Sequence, residues 1–334
     1  MLNILLFLLF SAFCAVFVFK KSYWFFGRRP TTNAEKLKYV GAIIGGVLLF
    51  MNAYAYLKQV EEQNRSNNLV VKGQLDTRFK DAATLLASDI TSTELSGIYA
   101  LHQLAIEASQ EQKGYVIVIK NILIAFIKEN SVIEKDTVYN KKNVLLLQTI
   151  IDKLFRDKGC EIYTEYPIDL SRTVLKEIVF NNAQLDSANF MEAQLQGAYF
   201  MKAKLLGSSF VKAQLQYADF DDAQLQGADF YDAHLQGVYF GKAKLQGADF
   251  YNTNLQSAYF GKAQLQGANF MEAQLQGADF FSSNLQGADF TKAQLDSANF
   301  SFADKIDEAK FKNTFWNKEP DFNGTLFERE QKKN

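Results

Sequence analysis

Residues 223–250 read AQLQGADFYDAHLQGVYFGKAKLQGADF. Large apolar residues stand at Leu225, Phe230, Leu235, Phe240, Leu245 and Phe250, with Leu and Phe taking turns. Two residues before each is a small one: Ala223, Ala228, Ala233, Val238, Ala243 and Ala248. Side chains two apart on an extended chain point the same way, so each small–large pair faces one interior. A unit of five is too short for a strand and a hairpin, but it suits one wall and one corner of a four-walled coil. Four units then make a turn of about 20 residues, and turns stack at the strand spacing of ~4.8 Å. Leu lies opposite Leu and Phe opposite Phe, and every turn adds the same layer.

The pattern continues in both directions, from Leu185 to Phe300 without a gap, with Phe180 joined at the front. The small position departs from Ala only at Ser208, Val238, Thr253 and Ser283. Corners come in two kinds. After Leu stands mostly Gln-Gly, as in Gln226-Gly227, and Gly in second place admits the positive φ of a type II turn. After Phe stand pairs such as Asp221-Asp222, Gly241-Lys242 and Tyr251-Asn252. The sequence therefore predicts type II corners after Leu and type I or irregular corners after Phe.

Residues twenty apart should stack into outer columns. One reads Glu192, Lys212, Asp232, Asn252, Glu272, Lys292, with much alternation of sign. A second, Gln196 to Gln276, predicts an amide ladder. A third, Met191, Val211, Tyr231, Tyr251 and Met271, is a candidate docking stripe. A fourth holds Tyr199, Tyr239 and Tyr259. Beyond Phe300 the spacing resumes out of step, and Phe311, Phe315, Trp316 and Phe322 are expected to close the last layer.

Ala, then Asp, Asn or Gln, then Leu or Phe, then two outward residues: this order resembles the pentapeptide-repeat family. The resemblance implies a right-handed quadrilateral β-helix, mainly β in class, and pairing of two chains at the end that holds Phe311, Phe315, Trp316 and Phe322. Upstream, TRFKDA (77–82) and GIYALHQLA (97–105) resemble a membrane-anchored subgroup in which a transmembrane hairpin and a helical domain precede the repeats. That subgroup carries a basic residue before Gly-Ile-Tyr. Here Glu94-Leu95-Ser96 stands in its place, and the role of that charge does not carry over.

The N-terminal residues fit that layout. Leu2–Phe19 and Tyr39–Leu57 are apolar runs near the ~20 residues a helix needs to cross a bilayer. Basic residues follow the first run rather than precede it, against a cleaved signal. Gly41 and Gly45 add a GxxxG spacing. Lysines and arginines between the runs place that loop in the cytoplasm by the positive-inside rule. The free Cys160 suits a reducing compartment for the C-terminal part, which is the opposite topology. From Val60 the apolar period becomes helical, and Thr91 to Glu94 forms a capping box. The expected organisation is a transmembrane hairpin (1–59), an α-helical domain (60–179), the β-helix (180–302) and a cap and tail (303–334).

Composition narrows function. The net charge is −1 over 334 residues, which argues against bulk nucleic acid as a partner. The two cysteines, Cys14 and Cys160, make no disulfide framework. No nucleophile–base pair, metal-ligand cluster or phosphate loop is present; His102 reads as a packed or rim histidine, and His234 lies alone in an outer column. No catalytic, cofactor or metal residue is assigned. The expected protein is a non-enzymatic, membrane-tethered scaffold, two-pass in a bacterial plasma membrane, with the bilayer, an unidentified protein and a second copy as partners. The resemblance also implies two alternatives. One is a DNA mimic that binds topoisomerase, although residues 181–300 hold about 12 acidic side chains against about 7 basic ones. The other is a sensor or effector of a membrane-stress or phage-defence pathway.

Overall fold

The computed structural model describes residues 33–110, 112–131, 141–157 and 160–325. The chain divides into two compact units, 1–77 and 78–334. Helix α1 runs Asn33–Leu86, 54 residues without a break. It passes through Leu57 and Lys58. Among the described residues no helix is long and apolar enough to cross a membrane, and the expected hairpin is not found there. The first apolar run, Leu2–Phe19, lies outside the described residues. The second belongs to α1, which turns polar directly after it: Lys58, Glu61, Glu62, Gln63, Asn64 and Arg65 follow in the same helix.

In the second unit three helices pack together: α2 (Thr91–Ala108), α3 (Lys113–Asn130) and α4 (Lys141–Ile151), which ends in a π turn at Asp152–Arg156. Their apolar faces follow the helical period. Ile98, Leu101, Leu104 and Ala105 of α2 are buried, as are Ile119, Leu123 and Ile127 of α3 and Leu146 and Ile150 of α4.

This bundle joins the front of the β-helix through backbone groups. The side-chain amide of Gln148 donates to Val179 O and accepts from Val179 N, both at 2.9 Å, as a strand neighbour would. Gln184 N donates to Phe155 O at 2.9 Å, and Arg156 Nε donates to Asn181 O. Lys120 is buried and gives its Nζ to the carbonyls of Tyr166 and Pro167 at 2.6 and 2.5 Å. Burial lowers its pKa to about 8.

The β-helix is a ladder of single parallel bridges between residues twenty apart, from Asp169↔Asn189 onward. It thus starts ahead of Phe180. The earlier units were hard to read because Ile168, Thr173 and Ile178 occupy the small positions and Leu170 and Leu175 the large ones. From Leu185 to Phe300 every inward Leu and Phe is fully buried. Phe rings in successive turns stack, as at Phe230–Phe250 (4.9 Å, 4°), while the two Phe columns meet edge to face, as at Phe250–Phe260 (5.8 Å, 86°). Val238 replaces alanine at a small position, and next to it Phe240 leans 22° from Phe220.

The expected difference between corners is absent. Gly197, Gly227 and Gly247 have φ of 65°, 66° and 67°, and Glu192, Lys202 and Asp222 have 58°, 57° and 59° at the same place. Both kinds close an i to i+3 hydrogen bond: Ala198 N to Leu195 O and Ala193 N to Phe190 O, each 3.0 Å. The reason lies in the ladder. The second corner N–H must reach the turn above, as Glu192 N does to Val211 O and Gly197 N to Gln216 O, both at 2.9 Å. Losing that bond along the stack costs more than the left-handed backbone, roughly 1–2 kcal/mol for a non-glycine residue. Gly247→Ala is therefore expected to lower stability by only about 1 kcal/mol. A Cβ there meets nothing within 4 Å, so backbone strain is the whole effect. Urea denaturation measures it, and a loss above about 3 kcal/mol would contradict this account.

Candidate interaction surface

Met191, Val211, Tyr231, Tyr251 and Met271 occupy the first corner place after their Phe walls and form one outward column. An aspartate or asparagine two residues earlier holds four of these corners, and Ser209 stands before Val211. Asn189 Oδ1 accepts from Met191 N at 3.0 Å, Asp229 Oδ1 from Tyr231 N at 2.9 Å and Asp249 Oδ1 from Tyr251 N at 2.9 Å. These residues sit in the bridged column Asn189–Ser209–Asp229–Asp249–Asn269–Asp289, so one side chain both fixes the corner and carries charge beside the stripe. Met191 and Tyr231 are exposed; Val211, Tyr251 and Met271 are half-buried. The Tyr231 and Tyr251 rings stack at 5.7 Å and 3°.

The neighbouring charge column behaves as its alternation predicts. Arg172 pairs with Glu192 at 3.0 Å and Lys292 with Glu272 at 2.9 Å, and Asn252 donates to Asp232 at 3.0 Å. Lys292 and then Tyr251 hold the Glu272 carboxyl below its ordinary value. The glutamine column does not form the expected straight ladder. Gln196 Nε2 reaches Gln214 Oε1 at 2.6 Å, Gln256 reaches Gln274 at 3.5 Å and Gln276 reaches Gln294 at 2.5 Å. Each amide leans to the turn above but into the adjacent column, because corner side chains project off the edge rather than along the wall.

Half a turn away, the fourth column holds Tyr199, Tyr239 and Tyr259, all exposed. Sequence reasoning missed what Gly241 and Gly261 do there. They stand in the first corner place, with no positive φ, and they keep the surface low. A Cβ on Gly261 would lie 2.2 Å from the Tyr259 hydroxyl, and one on Gly241 2.7 Å from Asp221 Oδ1. Gly241 N donates to that oxygen at 2.7 Å. Burial, with Asp219 beside it, raises the Asp221 pKa. Glycine in first rather than second place was the available signal.

At the C-terminal end the four aromatic residues divide. After the 3₁₀ turn Ile306–Glu308, Phe311 stacks on Phe290 at 5.1 Å and Phe322 on Phe300 at 5.3 Å, extending both core columns. Phe315 and Trp316 point outward and are exposed.

Among the described residues no group of three or more His, Cys, Asp or Glu could hold a metal ion. His102 is buried, with Nδ1 3.2 Å from the Tyr163 hydroxyl. Burial, then Lys153, lowers its pKa. Cys160 is free and buried.

Two family models match this region: Pentapeptide repeat region over residues 173–250, and Pentapeptide repeats (8 copies) over 233–270 and 273–304. No curated protein matches the chain. Similar solved structures include a pentapeptide repeat protein from the Arabidopsis thaliana thylakoid lumen, at 35% identity over 30% of this chain and 68% of that one (TM-score 0.25). HetL, a pentapeptide repeat protein involved in heterocyst differentiation regulation in Nostoc sp. strain PCC 7120, is 28% identical over 44% and 73% (TM-score 0.25). QnrB1, a plasmid-mediated fluoroquinolone resistance protein, is 23% identical over 45% and 82% (TM-score 0.28). With its unbroken fives, its four-walled ladder and both model matches, this chain belongs to the pentapeptide-repeat family.

Proposed function

We propose that the protein is a non-enzymatic scaffold whose β-helix docks a protein partner along the Met191–Val211–Tyr231–Tyr251–Met271 stripe. The stacked Tyr231–Tyr251 pair carries this reading. It places two large amphipathic rings, already ordered, on a backbone bonded at every turn, so little entropy is lost on binding. Family membership supports an interaction role, and the mixed signs of the charge columns disfavour mimicry of DNA. We further propose that the apolar N-terminal part holds the scaffold at a bilayer. Ile44, Leu48, Leu49, Phe50 and Leu57 of α1 are exposed, which water disfavours and lipid does not. Phe315 and Trp316 offer a second apolar surface on which a homodimer could form.

The test is capture of bound proteins from a detergent extract of the membrane fraction, with the full-length chain as bait. Tyr231→Ser with Tyr251→Ser is expected to reduce a captured partner at least about tenfold while the β-helix circular dichroism stays unchanged. Equal capture would remove the stripe. Recovery of the protein only in the soluble fraction would remove the anchor.

A further inference from the structure

Five of the seven basic residues in 181–300 lie on or beside one edge of the β-helix. Lys202, Lys242 and Lys262 take the second corner place after Phe200, Phe240 and Phe260, and Lys204 and Lys244 stand on the adjoining wall. All five are exposed. The ion pairs of the region lie elsewhere, at Arg172–Glu192, Lys292–Glu272 and Lys310–Asp289. One turn takes twenty residues, so this corner lies half a turn, or ten residues, from the corner of the Tyr231 stripe. The two are diagonal across the four-walled section.

Set side by side with their residues ten apart, the two edges are complementary in charge. Glu192 meets Lys202, Lys212 meets Asp222 and Asp232 meets Lys242. Lys262 meets Asn252, which is flanked by Asp249. They also match in relief. Met191 falls opposite Met201 and Met271 opposite Phe281. Tyr231, exposed, and Tyr251, half-buried, fall opposite Gly241 and Gly261, which carry no side chain and against which the Tyr259 ring packs. Val211 opposite Asp221 and Lys292 opposite Phe302 are the poor matches. Sliding one edge by a whole turn sets two like-charge pairs against one opposite pair: Glu192 on Asp222 and Lys212 on Lys242 against Asp232 on Lys262 in one direction, Lys212 on Lys202 and Asp232 on Asp222 against Glu272 on Lys262 in the other. The register is specified by repulsion as well as by attraction.

We propose that the occupant of the stripe is a second copy of this chain, lying parallel, with residue i of one copy against residue i+10 of the next. The proposal rests on the reading of the stripe as a docking surface and names what docks. The two edges are different surfaces on opposite corners, so the contact is head-to-tail and leaves a free edge at each end, and rows of more than two copies form. Exposed charge pairs set the register while the aromatic column supplies the buried area, so association weakens as salt rises.

Sedimentation of the full-length protein at low and high salt tests this, with two double variants placed where the fold already accepts the new residue. Glu192→Lys with Asp232→Lys reverses the stripe edge, in a column that already carries Lys212 and Lys292. Lys202→Glu with Lys242→Glu reverses the other edge. Each variant alone is expected to self-associate at least about tenfold more weakly, and an equimolar mixture to recover assembly, because both reversed edges then find partners. Recovery also shows that the variants are folded. Asn252→Cys with Lys262→Cys in one chain is expected to give disulfide-linked oligomers under oxidation, and either cysteine alone is not, because the parallel register sets residue 252 of one copy against residue 262 of the next. A protein that is monomeric throughout, association unchanged by either reversal, no recovery on mixing, or no crosslink would each overturn the proposal. Loss of self-association together with intact capture of a different protein by the stripe would overturn it and leave the scaffold function standing.

Discussion

Phe250→Ala is expected to lower the stability of the β-helix by about 3–5 kcal/mol, the largest effect of any single truncation considered. Phe250 has no solvent exposure. Its ring stacks between Phe230 and Phe270, each at 4.9 Å, and meets Phe240 and Phe260 edge to face, each at 5.8 Å. Removing it leaves a hole lined by four phenyl rings. These rings stand on walls bonded to the turns above and below, as Phe250 N is to Asn269 O at 2.7 Å and Asp249 N to Ala228 O at 2.9 Å. The walls cannot close on the hole, so the cavity cost adds to the lost transfer free energy. Urea denaturation followed by circular dichroism measures the loss, and a change below about 1 kcal/mol would mean the columns are not tightly packed.

Gly97→Ala is expected to separate α2 from the end of α1 and to cost upward of about 1–3 kcal/mol, the usual range for overpacking. An added Cβ would stand 2.4 Å from Leu86 N, 2.8 Å from Leu86 Cα and 3.0 Å from Ala82 O. All three are backbone atoms, and no rotamer relieves them. The same pair of helices is tied by Arg78, whose guanidinium donates to both carboxylate oxygens of Glu107, one at 3.1 Å. The chain cannot slide away without losing that fork. Gly114→Ala in α3 is the control. A Cβ there meets nothing within 4 Å, and a helical Gly→Ala change at a compatible site is neutral or stabilising by up to about 1 kcal/mol. Hydrogen exchange across 91–108 would read the difference; equal protection in both variants would refute the close approach.

Much of the fold was legible because the repeat states it many times over. Each Leu and Phe at the five-residue spacing from Leu185 to Phe300 faces inward, and residues twenty apart along the walls are the bridged columns. The first units were less legible, since Ile168, Thr173 and Ile178 replace alanine. The last were obscured by added residues: Asp289 pairs with Lys310 and Asn299 with Asp321, spacings of 21 and 22 rather than twenty. Phe311 and Phe322 could be recognised as aromatic but not told apart from Phe315 and Trp316, because inward or outward depends on where the insertion falls. The stripe was legible as a column. Its stacked tyrosines and the low glycine surface opposite them were not.

By itself, the sequence determined the four-walled tube, its Leu and Phe columns and the order of charges along each outer edge, because side-chain period and hydrophobicity act residue by residue. The tertiary structure alone decided the uniform corners, the diagonal glutamine bonds, the aromatic ring lying over Gly261 and the place where the helices meet the first turn. Those depend on which backbone groups a neighbouring turn presents. A bond to the next layer outweighs the preference of the residue that makes it.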